Sequence, residues 1–219
     1  MKAISKDYLH QWVRRLSDFK LDSPPIAGLP LSDGELCVRT FKRNDEEKRQ
    51  VWAKHTDPFL LKFNFLPKGT FENDLSFQRL KDRLRLGIEN ASGQMIGYVS
   101  LKPVRGSSSM AELGICFAAD QVSRGYGYRT LKMVLPWAAH TLDLNEIMLE
   151  VDFVNAKAIS LYNRLGFEKV AQFWQVEDNL KLEALLMSRG SIDGTRYLKN
   201  HLELLTWVMI CRIKEVEFS

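Results

Sequence analysis

Apolar and polar positions along this chain follow two periods, and the switches between them outline most of its elements. Tyr8, Trp12, Leu16 and Phe19, widened by Leu9 and Val13, recur at helical spacing and predict an amphipathic N-terminal helix. Such a stripe packs on its own core, or serves as a lid or as the contact of a homodimer. It ends before LDSPPIAGLPLSDG, a connector rich in proline and glycine. ELCVRTFK then reads as a strand. NDEEKRQVWAKH reads as a helix with Asn44 or Asp45 as N-cap and an acidic first turn, and FENDLSFQRLKD as a second helix. Leu84, Leu86 and Ile88 alternate with polar positions, and the turn NASG joins them to MIGYVSLKPV, which predicts an antiparallel hairpin.

The second half changes rhythm. AELGICFA is a strand with Leu113, Ile115 and Phe117 on one face and Glu112, Gly114 and Cys116 on the other. Leu131, Leu135, Ala138, Ala139 and Leu142 line a helix with Pro136 inside it, where a kink is expected. EIMLEVDFV is a strand, NAKAISLYNRLGF a short helix from Asn155 closed by Gly166, and EKVAQFWQV a strand. Residues from Glu177 to about Leu202 mix helix and turn, with RGSIDG as a break, and LELLTWVMICRI is the final strand. This order predicts an α/β fold whose sheet is antiparallel in its first half and crossover-connected in its second. The expected organisation is a helical extension and linker over 1–34, then one domain over 35–219 with an insert at about 177–202.

Composition narrows the function. Of 219 residues, 45% are hydrophobic and 26% charged, which suits a folded chain rather than a disordered one. The net charge of +4 comes without any long Lys/Arg block, so a small phosphorylated ligand is favoured over nucleic acid. Cys37, Cys116 and Cys211 are scattered among apolar residues and read as reduced core thiols, not as a disulfide frame or metal site. No secretory signal opens the chain, and LLTWVMICRI is too short to span a bilayer, so the expectation is a cytoplasmic protein without membrane contact.

The candidate chemistry centres on QVSRGYGYRTLKMVL, Gln121 to Leu135. No Lys-Ser/Thr pair follows the glycines, so this is not a Walker A loop. Thr130 stands where a dinucleotide fingerprint needs its third glycine. What remains is a strand-to-helix turn whose N–H groups, helped by the helix dipole and by Arg124 and Arg129, can hold a pyrophosphate.

AELGICFAADQVSRGYGYRTLKMVL followed by LEVDFVNAKAISLYNRLGF resembles the GNAT superfamily of acetyl-CoA-dependent N-acetyltransferases, most similarly its ribosomal-protein N-acetyltransferase-like branch, over about Ala111 to Phe167. Val122 departs from the family pattern, which has glutamine or arginine there. The resemblance implies a GNAT-type mixed sheet splayed between AELGICFA and EIMLEVDFV, with acetyl-CoA entering the gap. By position it places Ile115, Cys116 and Phe117 along the pantetheine arm and Asn155 near it. Arg124, Gly125, Tyr126, Gly127, Tyr128 and Arg129 would hold the pyrophosphate, and Tyr162 would be the acid that meets the departing thiolate.

Amine acetylation makes its own demands. The attacking amine must lose a proton, which asks for a base near a group of lysine-like pKa. Glu112 is the first candidate, directly or through a water, while Glu150 and Asp152 share a face of the neighbouring strand. Each also reads as an ordinary paired or solvated carboxylate, Tyr162 as a core tyrosine with a satisfied hydroxyl, and His140 as a partner of its helix C-terminus. Cys116 reads as a core thiol rather than an acyl carrier. The expected activity is acetyl transfer to a protein N-terminus or a small amine, with no metal. The competing reading is a non-catalytic acyl-CoA sensor or interaction module.

Overall fold

The computed structural model describes residues 26–42, 44–64, 83–190, 192–198 and 200–217. The stripe from Tyr8 to Phe19 and the predicted helix FENDLSFQRLKD lie outside them. Among the described residues nine strands form one sheet in the order β1-β2-β3-β4-β5-β6-β9-β7, with β8 pairing β9. The strands are β1 Leu31–Ser32, β2 Cys37–Thr40, β3 Leu84–Glu89, β4 Met95–Pro103, β5 Met110–Phe117, β6 Glu146–Asp152, β7 Glu168–Val176, β8 Thr195–Leu198 and β9 His201–Arg212. The pairings run antiparallel except β5–β6. The helices are α1 Asp45–Gln50, α2 Tyr126–Thr141, α3 Ala156–Arg164 and α4 Leu180–Arg189.

Local chemistry explains the joints. In the NASG turn, Asn90 Oδ1 accepts from the N–H groups of Ser92 and Gln94, and Gly93 takes φ +73. Asn155 caps α3 by accepting from Ala158 N at 3.2 Å, and Gly166 closes the turn after it at φ +81. The helix α2 runs through Pro136 to Thr141. Asn179 Oδ1 caps α4, whose Leu182 and Leu186 pack with Leu202 and Leu204 of β9 and with Phe59. The stretch expected as an insert, about 177–202, holds α4 and β8, which pairs with β9. Among the described residues no helix is long and apolar enough to cross a membrane.

The main core lies on one face of the sheet, where Leu131, Val134, Leu135 and Ala138 of α2 meet Leu86, Val99, Leu113, Ile147 and Leu149. Period-2 alternation sends Arg39, Arg85, Gly87, Tyr98, Glu112, Cys116 and Glu150 to the other face. There α1 is anchored by a buried carboxylate. Asn44 makes no side-chain cap bond; Asp45, fully buried, accepts from Arg39 at 2.6 and 3.0 Å and from Lys42 N at 2.7 Å. Burial alone would raise the Asp45 carboxyl, but the bonds from Arg39 and Lys42 outweigh it and hold its pKa below the ordinary value. A depressed folded-state pKa contributes stability above the unfolded value of about 3.9, and this is lost as pH falls through the folded value. Asp45→Asn is expected to cost about 1.5–3 kcal/mol in urea unfolding at neutral pH and to remove that acid-sensitive component.

Candidate active site

The two strands expected to splay do so. β5 pairs with β6 only at Met110↔Glu146, Ala111↔Ile147 and Glu112↔Met148, although β5 continues to Phe117 and β6 to Asp152. The opening is not fraying, because each strand is held on its outer side. β4 follows β5 as far as Gly97↔Phe117, and β9 follows β6 from Glu146↔Arg212 to Asp152↔Thr206. Among the described residues, the backbone groups of Leu113–Phe117 that face β6 have no strand partner there. An extended ligand arm can take the place of the missing strand.

The N-terminus of α2 follows β5 through a short 3-10 turn, Ala119–Gln121. Its N-cap, Gly125, takes φ +79 and offers no side-chain cap, and the first turn holds no acidic residue. The early N–H groups of a sixteen-residue helix are thus left to a ligand, and an anion suits them. A Cβ on Gly125 would meet nothing within 4 Å, whereas one on Gly127 would sit 3.0 Å from Leu161 Cδ2. The two glycines therefore do different work. Gly125 supplies a left-handed backbone beside open space, and Gly127 lets α2 approach α3. Ser123, at φ +62, has its hydroxyl 3.1 Å from Lys157 Nζ.

The flanking side chains divide. Arg124 Nε donates to Asp120 O at 3.1 Å and stays on the turn. Arg129, expected on the pyrophosphate, is paired elsewhere: its Nε lies 2.7 Å from Asp33 Oδ2 and its Nη1 contacts Glu35. Tyr126 donates to Glu35 at 3.3 Å and packs against Phe117, with ring centroids 6.5 Å apart. The Tyr128 ring carries Arg164 at 4.3 Å. So Arg129 and Tyr126 tie α2 to the loop before β2, a contact invisible to motif spacing because Asp33 and Glu35 are about ninety residues upstream.

Tyr162 is buried in the core beside Phe167, with ring centroids 5.6 Å apart. Burial pushes its phenol up to about 12, and no hydrogen bond or charge contributes to the shift. A tyrosine serving only the core finds a partner for its hydroxyl; this one has none among the described residues. Cys116 is buried, its thiol raised to about 11 by desolvation against a small opposing effect of Arg49. That keeps it protonated and argues against an acyl carrier. His140 is exposed in the last turn of α2.

The three carboxylates gather on the face opposite α2, but they are not equivalent. Glu112 is 3.3 Å from Lys102, its neighbour across β4. Asp152 is 2.5 Å from Lys62 and also accepts from Thr206 at 3.4 Å. Glu150 has no ion pair among the described residues, and its pKa is raised by burial first and then by Glu112 and Asp152. Alternation could place Glu150 and Asp152 together; Glu112 joins them through the β5–β6 register, and the cationic partners follow only from register and from the 3-10 turn Pro58–Phe63 that carries Lys62. A separate cavity of about 580 Å³ opens between α3 and β9, beside Ser160, Asn163 and Trp207, and none of the predicted site residues lines it.

Known proteins give this geometry a family. Among curated proteins the chain is 30% identical over 83 residues to a spermidine N(1)-acetyltransferase of Vibrio cholerae, covering 38% of this chain and 48% of the relative. It is also 30% identical over 90 residues to an L-methionine sulfoximine/L-methionine sulfone acetyltransferase of Pseudomonas paraeruginosa, covering 40% and 52%. The chain thus spans about half the length of the curated relatives it matches. The crystal structure of the Vibrio cholerae spermidine N-acetyltransferase in complex with CoA and spermine superposes with a TM-score of 0.60 at 18% identity, over 83% of this chain and 98% of that one. At that identity the likeness speaks for the fold. The model of the acetyltransferase (GNAT) domain matches residues 31–168, from β1 through the splay, the glycine turn and α3, and the chain belongs to that family.

Proposed function

We propose that the protein transfers the acetyl group of acetyl-CoA to a primary amine by direct attack within a ternary complex. The observation that carries this reading is the splay of β5 from β6 beside an uncapped helix N-terminus. The residues present fit the cofactor. Tyr126, Gly127 and Tyr128 offer backbone N–H groups, Arg124 adds charge at the turn, and Ile115–Phe117 present an unpaired strand edge. Acetyl-CoA supplies an activated thioester. The protein then has to deprotonate the amine, stabilise the oxyanion and meet the thiolate. A backbone N–H on the unpaired edge of β5 is the donor this reading assigns to the oxyanion. Tyr162, protonated across the physiological range, is a hydrogen-bond donor for the leaving sulfur. Asn155 spends its Oδ1 on the α3 cap, so its part is to set the helix that carries Tyr162.

For the base, the geometry favours Glu150 over Glu112. Glu112 and Asp152 each have a cationic partner, while the raised pKa of Glu150 brings it closer to what proton abstraction requires. A small-molecule amine is favoured as acceptor over the protein N-terminus that the ribosomal-protein branch suggests, because the named relatives act on spermidine and on methionine sulfoximine or sulfone. A thiol-release assay over a panel of amines tests the proposal. Turnover is expected with at least one small amine, and Glu150→Gln is expected to remove the acid limb of the pH–rate profile. CoA binding without turnover on any acceptor would instead identify an acyl-CoA sensor.

A further inference from the structure

The sheet face opposite α2 and α3 is divided by charge. Arg83, Arg85 and Lys102 occupy its β3–β4 side, and Glu112, Glu150 and Asp152 its β5–β6 side. The halves meet at the Lys102–Glu112 pair, 3.3 Å apart, with side chains 43% and 39% exposed. β5 and β6 part directly after Glu112↔Met148, so this seam lies where the splay begins.

Nearby acids do not use up the cationic side. Arg85 bonds Glu46 at 2.5 Å, and Arg49 bonds the other oxygen of the same carboxylate at 2.6 Å. Among the described residues the Nε atoms of Arg83 and Arg85 are both buried without a hydrogen-bond partner. A buried guanidinium N–H with no acceptor is costly, and guanidinium donors suit a carboxylate or phosphate-type anion. The floor between the halves is kept low. Arg85 pairs across to Ser100, and Ser100 to Gly114. A Cβ on Gly114 would lie 2.7 Å from Ser100 Oγ.

We propose that the acceptor is a zwitterion, an amine that also bears an anionic group, with the amine toward Glu112 and Glu150 and the anion on Arg83 and Arg85. The proposal rests on the amine-acetyltransferase reading above. It separates this chain from the spermidine enzymes it resembles, since a polyamine would place a second ammonium against Arg83 and Arg85. β3 and β5 lie two strand spacings apart, about 10 Å between axes, and the long side chains close part of that distance. The acceptor's amine-to-anion length is therefore a measurable ruler.

The test compares glycine, β-alanine and γ-aminobutyrate with alkylamines of matched length and with spermidine. Turnover is followed with acetyl-CoA, and acceptor binding to the CoA-loaded protein by calorimetry. Aminoalkylphosphonates form a second arm that tells a carboxylate from a phosphate-type anion. One amino acid or aminophosphonate is expected to exceed its matched alkylamine in kcat/KM by about tenfold to a hundredfold, with spermidine poorest. Arg83→Gln is expected to bring that ratio close to unity, and Arg83→Lys to restore part of it. Equal use of the alkylamine, a preference for spermidine, or a ratio indifferent to Arg83 would overturn the proposal while leaving the acetyltransferase reading in place. If nothing turns over, selective binding of the zwitterion that Arg83→Gln abolishes upholds the proposal and sinks the enzyme reading; absence of such binding overturns the proposal as well.

Discussion

Gly125→Glu is expected to weaken acetyl-CoA binding by more than about a hundredfold, the largest single effect on cofactor affinity that the structure suggests. Two causes act together. Gly125 sits at φ +79, where any side chain with a Cβ is strained by about 1–2 kcal/mol. The new carboxylate would also stand at the N-cap of α2, where it can cap the helix itself and compete with the pyrophosphate for the same N–H groups. Gly125→Ala separates the two causes, because it adds strain without charge and has open space for its methyl. Calorimetry on both variants, with thermal unfolding as a check on the fold, should show a modest loss for alanine and near-abolition for glutamate. Unchanged affinity in Gly125→Glu would remove the turn from the cofactor site.

Tyr162→Phe is expected to lower kcat by about 10²–10⁴-fold, the range of a general acid, while acetyl-CoA affinity stays within about twofold. The phenol is buried and its pKa lies at about 12. It is therefore protonated throughout the working range, and the loss should be the same from about pH 6 to 9. Because the folded-state pKa is raised above the unfolded value of about 10, burial of the neutral phenol stabilises the fold below about pH 10, and this is lost as pH rises toward 12. The variant should lack that alkaline sensitivity. Rapid-mixing measurement of the acetyl-transfer step assigns the effect to chemistry rather than release. An unaltered transfer rate would return Tyr162 to the core as an ordinary aromatic.

The two glycines show how far a motif can be read. Spacing placed them in one phosphate-binding turn, yet only Gly125 has the positive φ and the open surroundings that fit a ligand. Gly127 faces Leu161 of α3, thirty-four residues on, and spacing alone could not separate a packing glycine from a binding one. Arg129 shows the same limit, since its charge suits a pyrophosphate but Asp33 and Glu35 claim it. Of the two residues offered as the cap of α1, Asn44 stands at the N-cap but makes no side-chain cap bond, and a buried partner, Arg39, draws Asp45 inward.

Strand and helix periods, turn chemistry and the GxG-to-Asn155 stretch are local properties, written in residues a few positions apart, and the sequence alone was enough to settle the α/β order and the superfamily resemblance. It also placed Glu150 and Asp152 on one face of their strand, because alternation needs no partner; that Glu112 shares this face follows only from the parallel register Glu112↔Met148. Which of these acids has no ion pair among the described residues was decided by tertiary structure, through the β4–β5 register that gives Lys102 to Glu112 and the 3-10 turn that brings Lys62 to Asp152. The missing hydroxyl partner of Tyr162 and the division of the sheet face into cationic and anionic halves arose in the same way. Charge pairing and burial depend on residues distant in the chain, and their energies take values only once the sheet has set who stands beside whom.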